Sequence, residues 1–118
     1  MKKKLFISIP MHDRSAEEIR NHIESIKESA NRYFVKTEVE FIDNFENDFD
    51  PDRCVDLKNP RIEYLADAVK KLAYCDGIIL GNGFTLAKGC LVENYIAETY
   101  GLDVYYENDD GEINCEDW

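Results

Sequence analysis

Gly77-Ile78-Ile79-Leu80-Gly81-Asn82-Gly83 is the stretch on which the fold turns. Four residues without a polar side chain, β-branched in the middle and closed by a glycine-rich turn signal, read as a strand buried on both faces in the middle of a parallel sheet. Working outward, Leu5-Phe6-Ile7-Ser8-Ile9 is a second, nearly continuous apolar run, ended by Pro10. Glu38-Val39-Glu40-Phe41-Ile42 instead alternates polar with apolar, the pattern of a sheet-edge strand with one wetter face. Val104-Tyr105-Tyr106 supplies a short last strand. Between these runs the apolar period changes to that of helices. Ser15 and Glu18 form a capping box ahead of Ile19, Ile23, Ile26, Ala30 and Tyr33, and this helix should end near Phe34. Asn59-Pro60 opens a second helix carrying Ile62, Leu65, Ala66, Val69, Leu72 and Ala73 and ending near Tyr74. A third runs from about Lys88 to Tyr100 with Leu91, Val92, Tyr95, Ile96 and Thr99 at helical spacing and Gly101 as its C-terminal cap.

The order β-α-β-α-β-α-β implies parallel strands joined by crossovers, with helices on both faces. The expected fold class is α/β: a doubly wound, flavodoxin- or Rossmann-like three-layer sandwich on a four-stranded parallel sheet of order 2-1-3-4. Its 118 residues read as a single domain, 1–118, with no repeat or linker and an acidic tail at about 107–118 turning at Asp109-Asp110-Gly111. The acidic, aperiodic segment 43–58 reads as a lid whose Phe45 and Phe49 either stack on a ligand's base or anchor the loop on the core.

A formal charge of −11 argues against direct binding of nucleic acid, which needs a clustered field of Lys and Arg. It keeps a protein soluble, or imitates nucleic acid toward a basic partner. Cys54, Cys75, Cys90 and Cys115 form no C-x-x-C pair, and with two histidines they signal neither a metal site nor a disulfide framework. Reduced thiols fit a cytoplasmic protein, and the apolar run after Lys4 is too short for a signal peptide or a membrane span. The chain is expected to form a homo-oligomer and to work without a cofactor.

In doubly wound sheets ligands bind beyond the carboxyl ends of the strands where strand order reverses, here between strands one and three. That crevice draws on 10–15 and 81–93. Neither a G-x-G-x-x-G nor a P-loop occurs there, and the turn also lacks a flavodoxin's hydroxyl-rich phosphate loop. Strand three ends in Gly81-Asn82, without the phosphoacceptor aspartate of a response-regulator receiver. The segment from Gly83 to Glu93 enters helix three with small residues, free backbone N–H groups and a carboxylate near the positive helix end, a setting for an anionic or polyhydroxyl ligand. Glu93 is the candidate catalytic residue, a nucleophile that the helix dipole should keep ionised. The candidate substrate-binding residues are Ser8, Pro10, Met11, His12 and Asp13 after strand one, Asp43 after strand two, and Asn82, Gly83, Lys88 and Gly89. His12 and Asp13 suit a proton donor and a hydroxyl acceptor.

Taken together, Phe6-Ile7-Ser8-Ile9-Pro10-Met11, Ala73-Tyr74-Cys75-Asp76-Gly77-Ile78 and Ala87-Lys88-Gly89-Cys90-Leu91-Val92-Glu93, leading to Ala97-Glu98-Thr99-Tyr100-Gly101-Leu102, resemble the nucleoside 2-deoxyribosyltransferase-like superfamily, in particular its short phage and bacterial branch of unknown function. The resemblance covers Lys4 to about Tyr106. It implies that Glu93 attacks the anomeric carbon of a nucleoside or nucleotide while the base leaves with help from a protonated group. A second carboxylate that usually assists would fall at Ala68, beside Asp67. Related nucleotide hydrolases carry a phosphate-binding serine at the position of Ala87 and a glycine at that of Leu91, so Lys88 would have to replace the phosphate contact. Three functions follow as expectations: an N-glycosidic-bond enzyme, either transferase or hydrolase; a non-catalytic nucleotide-binding or sequestering module; or an acidic interaction protein.

Overall fold

The structure, a computed structural model, describes residues 2–45 and 59–115. Its elements among these residues follow in chain order: β1 (Lys2–Ser8), α1 (Ala16–Tyr33), β2 (Glu38–Asp43), α2 (Pro60–Leu72), β3 (Gly77–Leu80), α3 (Lys88–Thr99), β4 (Asp103–Glu107) and β5 (Ile113–Asn114), with a 3-10 turn at Phe84–Leu86. The expected helix signals act as such. The Ser15 side chain accepts from the Glu18 N–H at 3.1 Å while the Glu18 carboxylate accepts from the Ser15 N–H at 3.2 Å. Asn59 accepts from the Ile62 N–H at 3.3 Å ahead of the first-turn proline. Most of the expected lid, residues 46–58 with Phe49 and Cys54, lies outside the described residues. Phe45, at its start, packs on the core with the Arg20 guanidinium 5.8 Å from its ring centre, which is the anchoring role.

The fold is α/β, on a mixed sheet of five strands in the order β2-β1-β3-β4-β5. β1 pairs in parallel with β2 and β3, and β3 with β4. The expectation of an all-parallel, four-stranded sheet needs correction, because β5 adds an antiparallel edge to β4. The turn at 109–111 lies within the expected acidic tail. It closes a hairpin, with the Asn108 N–H on the Glu112 carbonyl at 2.8 Å. Ile113 is then buried in the core, and Glu107 belongs to β4.

Strand alternation sends β1 to two cores. Leu5, Ile7 and Ile9 pack with Ile19, Ile23, Ile26 and Ala30 of α1, together with Ile79 and Tyr105. Phe6 packs on the opposite face with Ala68 and Leu72 of α2, Cys90 and Ala97 of α3, and Ile78, Leu80 and Tyr106. β3, at the centre, is buried at every residue. One helix face differs from its sequence reading: α3 buries Cys90, Glu93 and Ala97, while Leu91, Val92 and Tyr95 are exposed. Small residues let the helix approach the sheet closely, so the stripe with the least apolar bulk faces inward. No helix among the described residues is long and apolar enough to cross a membrane.

Candidate functional site

At the carboxyl end of β1, Ser8 directs its side chain to the α2/α3 face, as alternation from Phe6 requires. Its hydroxyl donates to Glu93 Oε1 at 2.5 Å. Both residues are buried, and Glu93 sits beside Cys90 on the inward stripe of α3. Burial pushes the Glu93 carboxyl up to about 7, opposed by the hydrogen bond from Ser8. This reverses the expectation that the helix dipole keeps it ionised. Glu93 lies in the second turn of α3, beyond the first turn in which the dipole acts effectively, so desolvation dominates. Burial likewise pushes the Cys90 thiol up to about 11, which leaves it a small core residue rather than a nucleophile. Asn94, next along α3, keeps a buried Oδ1 with no hydrogen-bond partner among the described residues.

The other expected site residues are spread around this pair. Pro10 and Gly83 meet across the crevice, with Pro10 Cγ 3.5 Å from where a Gly83 Cβ would stand. Gly83 has φ +89°, a turn conformation that glycine adopts without strain. Met11 packs on the α1-side core and its sulfur accepts from the Tyr64 hydroxyl at 3.5 Å. His12 and Asp13 project into solvent, 78% and 88% exposed, and face each other at 3.4 Å. Asp43 accepts from the Phe45 N–H at 3.0 Å and so shapes the end of β2. Lys88 and Gly89 are exposed at the start of α3, where Ala87 provides no side-chain cap. Asp76 accepts from the Lys4 N–H at 2.8 Å, at the amino end of β3. The position expected for a second carboxylate, Ala68, is buried, and neighbouring Asp67 pairs outward with Lys71 at 3.6 Å.

Sequence reading missed a second cluster on the α1 face. His22 Nε2 lies 2.6 Å from Glu107 Oε1, which also accepts from the Asn82 N–H at 2.8 Å. Arg14 Nη1 donates to the Pro10 carbonyl at 2.8 Å and lies 3.0 Å from His22 Nδ1. A guanidinium only donates, so Nδ1 accepts, and the ring carries its proton on Nε2 toward Glu107. Two signals were legible: His22 falls beside Ile19, Ile23 and Ile26 on the buried face of α1, and Glu107 continues the alternation that turns Tyr105 toward that helix. A cavity of about 310 Å³ opens beside this cluster.

Among the described residues, no group of three or more His, Cys, Asp or Glu side chains is placed to hold a metal ion. Compared with known proteins, the chain matches no family model, no curated protein and no solved structure. The chemistry of the site therefore rests on its own residues.

Proposed function

We propose that this chain binds a nucleoside or nucleotide at the carboxyl end of β1 and β3 and cleaves its N-glycosidic bond through Glu93. The observation that carries the reading is the Ser8–Glu93 hydrogen bond of 2.5 Å, a buried carboxyl at the switch point of the sheet. Ser8 occupies Oε1 and orients the group, leaving Oε2 to react. With its pKa near 7, Glu93 is ionised in only part of the molecules at neutral pH, and that poorly solvated carboxylate is the form that attacks carbon. The carboxylate forms an ester bond to the anomeric carbon as the carbon–nitrogen bond breaks. The base leaves with the electron pair and takes up a proton. Water, or a second base, then displaces the ester and restores the carboxylate. The resemblance to nucleoside 2-deoxyribosyltransferase-like proteins supports the same assignment.

A non-catalytic binding module is the second reading, favoured by Ala68 at the assisting carboxylate's position. Incubation with a panel of nucleosides and nucleotides separates the two. Under the enzymatic reading bases are released, Glu93→Gln retains binding but loses release by at least about a hundredfold, and formate partly restores Glu93→Ala. Tight binding without release would establish the module, and an active Glu93→Gln would place the nucleophile elsewhere.

A further inference from the structure

The proposed Glu93 chemistry makes no use of the α1-face cavity. Its framing begins with the β4–β5 hairpin, which Ser29 Oγ holds to α1 by donating to the Gly111 carbonyl at 2.6 Å. Gly81 admits the opposite wall: a Cβ there would stand 3.2 Å from His22 Cε1 and 2.5 Å from Ile9 Cγ2. Arg14, His22 and Glu107 then lock one another, with the two latter side chains only 14% and 6% exposed. Both ring nitrogens of His22 are committed, so the cluster has no free acid or base at the imidazole. It positions groups for binding rather than chemistry.

The unused hydrogen-bonding capacity identifies the ligand. Among the described residues, Arg14 Nε and Nη2, the Asn82 side-chain carboxamide and the Asp109 carboxylate take no hydrogen-bond partner within the protein, and Glu107 Oε2 is likewise unclaimed. Donors and acceptors therefore alternate around one cavity. A carboxylate or phosphate ligand would meet Arg14 but also Glu107 and Asp109, and a lone cation would meet Arg14. An apolar ligand would find no aliphatic or aromatic side chain beyond the His22 ring in the lining and would strand the polar groups unpaired. Hydroxyl groups donate and accept at one atom, so several of them on a neutral ring satisfy both sets. We propose that this cavity, on the α1 face of the sheet across from Glu93, is a second ligand site for a neutral polyhydroxyl compound.

The test is an NMR titration of the whole chain with D-ribose, with glycine and inorganic phosphate as rival probes, following backbone amides and the Arg14 Nε–H. Ribose should produce saturable shifts at Asn82, Asn108, Asp109 and Arg14 with a millimolar Kd. Glu93→Gln should leave those shifts unchanged. Asp109→Ala, at an exposed turn position, should keep the amide spectrum dispersed and weaken ribose binding about tenfold, the worth of one hydrogen bond to a charged group. Several results would overturn the proposal: no saturable ribose shift, ribose shifts centred on Ser8 and Glu93, unchanged affinity in Asp109→Ala, or stronger saturation of the same residues by glycine or phosphate.

Discussion

The two faces of this sheet each bury a glutamate at the same carboxyl edge, and they treat it differently. Glu107, on the α1 face, gives one oxygen to two N–H donors, from His22 and from the Asn82 backbone, inside a locked set that includes Arg14. Glu93, on the α2/α3 face, receives a single hydroxyl donor among the described residues, and burial holds its carboxyl near 7. The difference lies in hydrogen-bond supply. A carboxyl group held by nitrogen donors is a fixed part of a wall, whereas one that loses water without comparable replacement keeps its proton close to neutrality and remains available to react.

The largest effect that would break this comparison is a pH dependence. In the unfolded chain Glu93 should titrate near the ordinary 4.5, against about 7 in the folded one. The folded state then holds the extra proton between these values, so Glu93's contribution to stability is fully present below pH 4.5 and is lost as pH rises through 7, by roughly 3 kcal/mol. Urea unfolding across that range, compared with Glu93→Gln, should show this slope in the wild type and its removal in the variant. Gly81→Ala strikes the α1 face alone, since the added methyl meets Ile9 and the His22 ring, and should cost about 1–3 kcal/mol in thermal unfolding. Ser8→Ala withdraws the hydroxyl donor to Glu93. It should cost about 1–2 kcal/mol and move the Glu93 titration above 7, because the hydrogen bond lowers it. The smallest effect belongs to Ser29→Ala, which frees the Gly111 carbonyl for about 1 kcal/mol and should speed amide exchange at Ile113 and Asn114 while leaving β3 protected.

These contrasts were unequally legible in the sequence. Runs such as Gly77–Leu80, and caps such as Ser15 with Glu18, act within a few residues, so the four parallel strands and three helices could be read directly. β5 could not. Its two residues carry one apolar side chain in acidic surroundings, and its pairing depends on a turn whose walls lie on α1. Glu93 was legible as a candidate from its place at the crevice, but its protonation was misread because helix position is local whereas desolvation depends on Ser8 and the sheet packed against it. The His22–Glu107 pair spans 85 residues of chain, and only the alternation of β4 and the inward stripe of α1 hinted at it. His12 and Asp13, prominent as polar loop residues, remain in solvent.

The most direct test of the account is a carbon-13 NMR titration of the glutamate side-chain carboxyls in the wild type and in Glu93→Gln. The Glu93 carboxyl should give a resonance with a midpoint near pH 7 in the wild type, and that resonance should be absent from the variant. A wild-type spectrum in which Glu93 titrates in the ordinary carboxylate range would contradict it, because Glu93 would then be solvated or fully paired and the contrast between the two faces would not exist.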